Sequence, residues 1–204
     1  MQTHLALLLG LAALLVSCKG DVPDVKTVYF PDSDQVKQRI EYKNGRKNGV
    51  FEEFYRSGRL KARQHYVNDS LNDTTVIYHP NGHLKSLHVY RNKIRSGTWR
   101  DYNKEGKLYS EMSFENGLLN GPCCRYTYRT ARLQYKSVYL KGQLHGIEET
   151  YHPNGQLKSR GRFELGLPVG EVEEWEDNGQ KINTDFDIHV QEKDESLLAN
   201  RLRY

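Results

Sequence analysis

Three cysteines in 204 residues exclude a disulfide-rich scaffold. Thirty Lys plus Arg against twenty-six Asp plus Glu leave a formal charge of +4. That balance is too even for the basic stripe of a nucleic-acid binder. With hydrophobic residues at 37% and a mean hydropathy of −0.80, a polytopic membrane protein is excluded as well. Methionine (2) and phenylalanine (6) are scarce, whereas the chain holds 14 Tyr and 17 Gly. Strands and tight turns use those residues, and such numbers call for a search for an internal period.

The one long apolar run, Leu5 to Val16, has twelve residues and no charge. At about 1.5 Å per residue it is too short for a ~30 Å hydrocarbon core, and it fits the h-region of a secretory signal. The segment before it, Met1-Gln2-Thr3-His4, supplies no Lys or Arg. The run ends in Leu15-Val16-Ser17-Cys18, which resembles the bacterial lipobox: branched apolar residues, a small residue, then cysteine. The resemblance implies a signal peptide over 1–17 and a diacylglyceryl group on the thiol of Cys18. More than one acyl chain holds a protein firmly to a bilayer, where a single chain binds marginally. Lys19 in place of Asp after the cysteine implies the outer rather than the inner membrane of the cell envelope. A buried N-terminal helix and an ordinary signal cut elsewhere are the competing readings. Residues 18–36, with their prolines and aspartates, are expected to be the lipidated cysteine and a polar tether.

Residues 37–187 carry one motif six times. Gly49, Asp73, Gly97, Gly121, Gly146 and Gly170 open the units, at spacings of 24, 24, 24, 25 and 24. Five residues on from each stands an aromatic: Phe54, Tyr78, Tyr102, Tyr126, Tyr151 and Trp175. Nine residues on stand Gly58, Gly82, Gly106, Thr130, Gly155 and Gly179. A leucine column (Leu60, Leu84, Leu108, Leu133, Leu157) and a second aromatic column (Tyr66, Tyr90, Phe114, Tyr139, Phe163) complete the unit. The fourth repeat is one residue longer, and the insertion lies near Thr130.

Each repeat reads as a β-hairpin. Asn-Gly recurs at Asn44-Gly45, Asn81-Gly82, Asn116-Gly117, Asn154-Gly155 and Asn178-Gly179, and that dipeptide suits both central positions of a type I′ turn. In the second strand alternation puts Leu84, Ser86, His88 and Tyr90 on one face, and in a later repeat Leu157, Ser159, Gly161 and Phe163 alternate with Lys158, Arg160 and Arg162, the pattern of a half-buried strand. Trp99 and Tyr102 are three apart, so both face inward only across a bulge or a strand end. One hairpin buries too little to offset the entropy of ordering 24 residues. Neighbours must therefore share strand pairing, as in a solenoid.

Gly97-x-Trp99-x-x-Tyr102-x-x-x-Gly106-x-Leu108 and Gly146-x-x-x-x-Tyr151-x-Pro153-Asn154-Gly155-Gln156-Leu157-Lys158 resemble the variant MORN repeat of bacteria. The likeness covers about residues 39–187, with Asp73 and Thr130 departing from the pattern. It implies an all-β fold, an elongated antiparallel sheet of about six consecutive hairpins. It also implies partner binding, because proteins with this repeat are often labelled the antitoxin of a toxin–antitoxin pair and eukaryotic MORN proteins are scaffolds.

Signals of catalysis are missing. No HExxH, paired CxxC, GxSxG or phosphate loop is present, so neither a metal nor a cofactor is expected. His79 and His152 share a column beside a turn and read as polar flanking residues. The pairs Glu52-Glu53, Glu148-Glu149 and Glu173-Glu174 read as a solvated sheet face, since strand neighbours point opposite ways. For the same reason Cys123 and Cys124 cannot bridge each other readily; an intermolecular disulfide is the reading to test. Residues 188–204 break the period and read as a capping segment with a short helix over part of Glu192 to Arg203.

The sequence therefore predicts a non-catalytic lipoprotein, anchored to the membrane through its N-terminal lipid. It would act as a protein-binding scaffold or an antitoxin- or immunity-type partner, a toxin being one candidate for the bound protein. Trp99, Tyr102, Tyr126, Tyr151 and Trp175 are the expected binding residues. A module for cell-wall glycan or lipid headgroups is the alternative; nucleic acid is not expected.

Overall fold

The computed structural model describes residues 23–182. Among them every regular element is a β-strand, and every pairing is antiparallel. The chain divides between Ile94 and Arg95 into two compact units. The first holds β1 (Asp24–Tyr29), β2 (Val36–Lys43), β3 (Arg46–Phe54), β4 (Leu60–Val67), β5 (Ser70–Tyr78) and β6 (Leu84–Arg91). The second holds β7 (Ile94–Tyr102), β8 (Leu108–Glu115), β9 (Leu118–Tyr126), β10 (Leu133–Leu140), β11 (Gln143–Leu144) and β12 (Gly146–Tyr151). It continues with β13 (Leu157–Glu164), β14 (Leu167–Pro168), β15 (Glu173–Trp175) and β16 (Lys181–Ile182). Within each unit the main strands pair in chain order, β10 with β12 and β13 with β15, while the short β11 and β14 pair back with β10 and β13. Consecutive hairpins build both units, as the period predicts.

Cys18, the signal peptide and the capping segment 188–204 with its expected helix lie outside the described residues. Part of the expected tether does not. Asp24–Tyr29 forms β1 and pairs with β2, with Asp24 opposite Tyr42. The alternating, β-branched run Val25-Lys26-Thr27-Val28-Tyr29 suits a strand, and it covers an edge of β2 that would otherwise be bare. The array thus begins one hairpin earlier than its glycines suggest.

The turns fall into two kinds, where the sequence suggested one. Asn44-Gly45 and Asn116-Gly117 have positive φ at both residues (52° and 75°, 51° and 84°), as type I′ turns require. At the other end of each hairpin only the glycine is left-handed. Gly82 (φ 92°) donates to the His79 carbonyl at 2.8 Å, and His79 donates to the His83 carbonyl at 2.8 Å. This is a type I turn closed by a left-handed glycine. It places Pro80 and Pro153 at the position whose φ proline presets. The fourth repeat spends its extra residue in this turn: Ala131 (φ 53°) donates to the Thr127 carbonyl at 2.9 Å, and Ala131 rather than Thr130 takes the left-handed place.

The opening column is a bulge. Between Ile40↔Phe51 and Tyr42↔Lys47, Glu41 alone faces Asn48, Gly49 and Val50. Gly49 has φ 115°, and a Cβ there would run into the Glu41 side chain, whose Oε2 accepts the Val50 N–H at 2.6 Å. Asp73 holds the same place at φ 66° because its own Oδ1 accepts the Thr74 N–H at 2.8 Å. A second slip between Ile77 and Tyr78 in the β5–β6 ladder pairs Tyr78 with Leu84. The leucine column therefore sides with the first aromatic column, not with Ser86 and Tyr90 as strict alternation predicted.

Strand alternation gives each unit two faces. Ile40, Ala62, Thr75 and Ser86 in the first unit, and Ser110, Phe114, Cys123, Ser137 and Phe163 in the second, are buried and share one face. The other face carries rows of paired charges.

Candidate functional site

On the charged face, residues at one level of successive strands alternate in sign. In the first unit Arg39, Glu52 and Arg63 stand side by side, and Arg63 donates from Nε (3.1 Å) and Nη2 (2.6 Å) to Glu52 Oε1. That bond keeps the Arg63 guanidinium pKa above its ordinary value. In the second unit the level reads Arg100, Glu111, Cys124, Lys136, Glu149, Arg160 and Glu173. Arg100 reaches Glu111 at 2.5 Å, and Lys181 reaches Glu173 at 2.6 Å. Glu149 lies between Lys136 (3.8 Å) and Arg160 (2.6 Å). Arg160 donates from two nitrogens, and Tyr151 Oη donates to the other oxygen at 2.8 Å. These partners hold the Glu149 carboxyl below the usual carboxylate range, the Arg160 hydrogen bond first among them. Glu149 is 7% exposed, so the reading of this glutamate as part of a solvated face is corrected: cross-strand cations on both sides let a carboxylate be buried.

The five expected binding aromatics divide between the faces. Tyr102, Tyr126, Tyr151 and Trp175 form one half-buried column beside the charge row, opposite Leu108, Leu133, Leu157 and Lys181. Their polar ends are partly engaged within that face. Burial and the Glu149 bond push the Tyr151 hydroxyl up to about 12. Burial, then the neighbouring Cys124, raises that of Tyr126.

Trp99 lies on the opposite face, the resolution of its awkward spacing from Tyr102. It packs on Phe114 with ring centroids 4.9 Å apart and a 51° tilt. The Arg95 guanidinium sits over both rings, 4.7 Å from the Phe114 centroid and 5.8 Å from Trp99. The first unit repeats the device with Lys47 over Phe51 (5.3 Å) and Tyr66 (5.1 Å). Around Trp99 a shallow cavity of about 370 Å³ opens, floored by Met112, Phe114 and Leu119 and flanked by Arg95 and Arg125. No repeat column flagged this cavity. The one available signal was Arg125, because its column otherwise reads Glu53, Ile77, Asp101, Thr150 and Glu174.

Four matches to the MORN repeat variant lie at residues 47–68, 74–92, 95–116 and 144–164. Four of the six repeats are MORN repeats. The matched stretches run from β3 to β13. The fourth repeat, with its enlarged turn, and the sixth, with its shortened strands, fall outside them. No curated protein matches the chain.

Successive repeats are also joined through side chains at the type I turn end. Tyr55 Oη donates to the Tyr78 carbonyl at 2.7 Å, Asn103 Nδ2 to the Tyr128 carbonyl at 2.5 Å, and His152 Nε2 to the Trp175 carbonyl at 2.7 Å. His152 is therefore the turn-flanking residue the sequence suggested. At the type I′ end an asparagine column absent from the sequence reading does the same: Asn48, Asn72 and Asn120 accept from the backbone N–H of Asn68 (3.3 Å), Asn92 (3.1 Å) and Lys141 (3.0 Å).

The adjacent cysteines point to opposite faces. Cys123 is 2% exposed and lies across from Ser137, and burial pushes its thiol up. Cys124 is half-buried in the charge row. Among the described residues no group of three or more His, Cys, Asp or Glu is placed to hold a metal ion.

Proposed function

We propose that this is a non-catalytic envelope lipoprotein, acylated at Cys18 and held at the outer membrane, whose repeat sheet binds a protein partner as a scaffold or as an antitoxin- or immunity-type protein. MORN repeats are commonly protein- or lipid-binding scaffolds. The observation that carries the reading is the repeated surface of the second unit. Tyr102, Tyr126, Tyr151 and Trp175 stand one per hairpin beside alternating charges, a layout suited to an extended partner. The grooves beside them are broad and shallow: Lys136, Val138, Ile147, Glu149 and Arg160 line one of about 470 Å³. Affinity purification of the acylated protein from detergent-solubilised membranes tests the proposal. A stoichiometric protein is expected; polysaccharide or lipid alone in the eluate supports the glycan or headgroup reading instead. The mass of the mature N-terminus tests the anchor, with an unmodified first cysteine contradicting it.

A further inference from the structure

We propose that the Trp99 cavity is the docking point for an acidic–apolar peptide segment of the partner, with carboxylates flanking an aromatic or branched side chain. The inference rests on the protein-partner reading and adds the site and its chemistry. Among the described residues, no carboxylate lies within ion-pair reach of Arg95 or Arg125. Five cations of the charged face, by contrast, are paired: Arg63, Arg100, Lys136, Arg160 and Lys181 each reach a glutamate. The two arginines are held by rings, Arg95 over Phe114 at 4.7 Å and Arg125 over Tyr135 at 5.7 Å. A guanidinium stacked this way keeps its N–H edge free for bidentate capture of a carboxylate.

Between them the floor is apolar, so a ligand with charge at both ends and an apolar centre matches it. The volume, about 370 Å³, stands near the lower end of small-molecule pockets, and the cavity is open. It suits one or two side chains of a longer chain rather than a whole enclosed ligand. Leu118, 51% exposed at the rim, would be covered on binding, and Gly117 and Gly142 leave the approach without side chains. Tryptophan and arginine are the residues that most often dominate protein interfaces.

Fluorescence anisotropy of a labelled blocked peptide, Gly-Asp-Leu-Phe-Glu-Gly, tests the assignment against its Asn/Gln counterpart and against phosphatidylglycerol vesicles. Saturable binding is expected, at least tenfold weaker for the uncharged peptide and for Arg95→Gln or Arg125→Gln, with far-UV circular dichroism confirming that each variant is folded. Equal binding of the two peptides, no saturation, or displacement of the peptide by the vesicles would overturn it. Capture from solubilised membranes separates the two levels of the argument. A partner retained equally by wild type and by Arg95→Gln/Arg125→Gln removes the cavity but keeps the scaffold. No protein captured by wild type removes the scaffold reading itself.

Discussion

Arg160 and Glu149 face each other across β12 and β13, with Nε and Nη2 of the arginine donating to one carboxylate oxygen at 3.0 and 2.6 Å. The folded carboxyl titrates below its ordinary value of 4.5, so its contribution to stability is complete above that value and is lost as pH falls through the lower folded value. Glu149→Gln is expected to cost about 1–2 kcal/mol at pH 7, the range for a hydrogen bond to a charged group reduced because the Arg160 side chain is half exposed to solvent. The gap to wild type should narrow as pH falls below 4.5. Urea unfolding at pH 7 and pH 3 measures it, and a gap that stays constant contradicts the role given to the pair.

Asn103 is fully buried at its turn, where Oδ1 accepts from the Glu105 and Lys107 N–H groups (3.0 and 2.8 Å) while Nδ2 reaches the next repeat. Asn103→Ala leaves those groups unsatisfied and should cost about 2–3 kcal/mol. Native-state hydrogen exchange should show the loosening first at Glu105, Lys107 and the turn of Thr127 to Arg132.

Much of this was legible in the residues, and the exceptions have physical causes. The glycine, aromatic and leucine columns gave the hairpins because each occupies one fixed backbone position. The first hairpin was hidden, although Tyr42 lies 24 residues before Tyr66, because its loop Pro31-Asp32-Ser33-Asp34 has no Asn-Gly and reads as linker. Faces were harder than strands. A slip such as the one between Asp101 and Tyr102 reverses which side a leucine takes, and spacing alone does not reveal it. The Trp99 cavity escaped because Arg95 and Arg125 come from different columns and meet only when β7, β8 and β9 pair.

Gly49→Ala puts a side chain at φ 115° and against Glu41. A cost of about 2–3 kcal/mol follows from the strained backbone, or a loss of roughly 5–10 °C in Tm for a domain of this size. Gly45→Ala, at φ 75° but with open space around it, should cost less in the same thermal melt.

Alkylation should separate the two thiols. Cys123 is buried with a raised pKa, so iodoacetamide at pH 8 is expected to modify Cys124 in the folded protein and Cys123 only in denaturant. Peptide mass mapping decides the order. Equal labelling would contradict the opposite facing of the pair, and any intermolecular disulfide is expected to run through Cys124.

The most direct test places a photoreactive benzophenone side chain at Leu118, exposed on the rim of the Trp99 cavity, in the acylated protein within its own membranes. One discrete, protease-sensitive adduct of higher mass is the predicted result. Adducts to lipid or polysaccharide alone, or none after full photolysis, would contradict a protein partner.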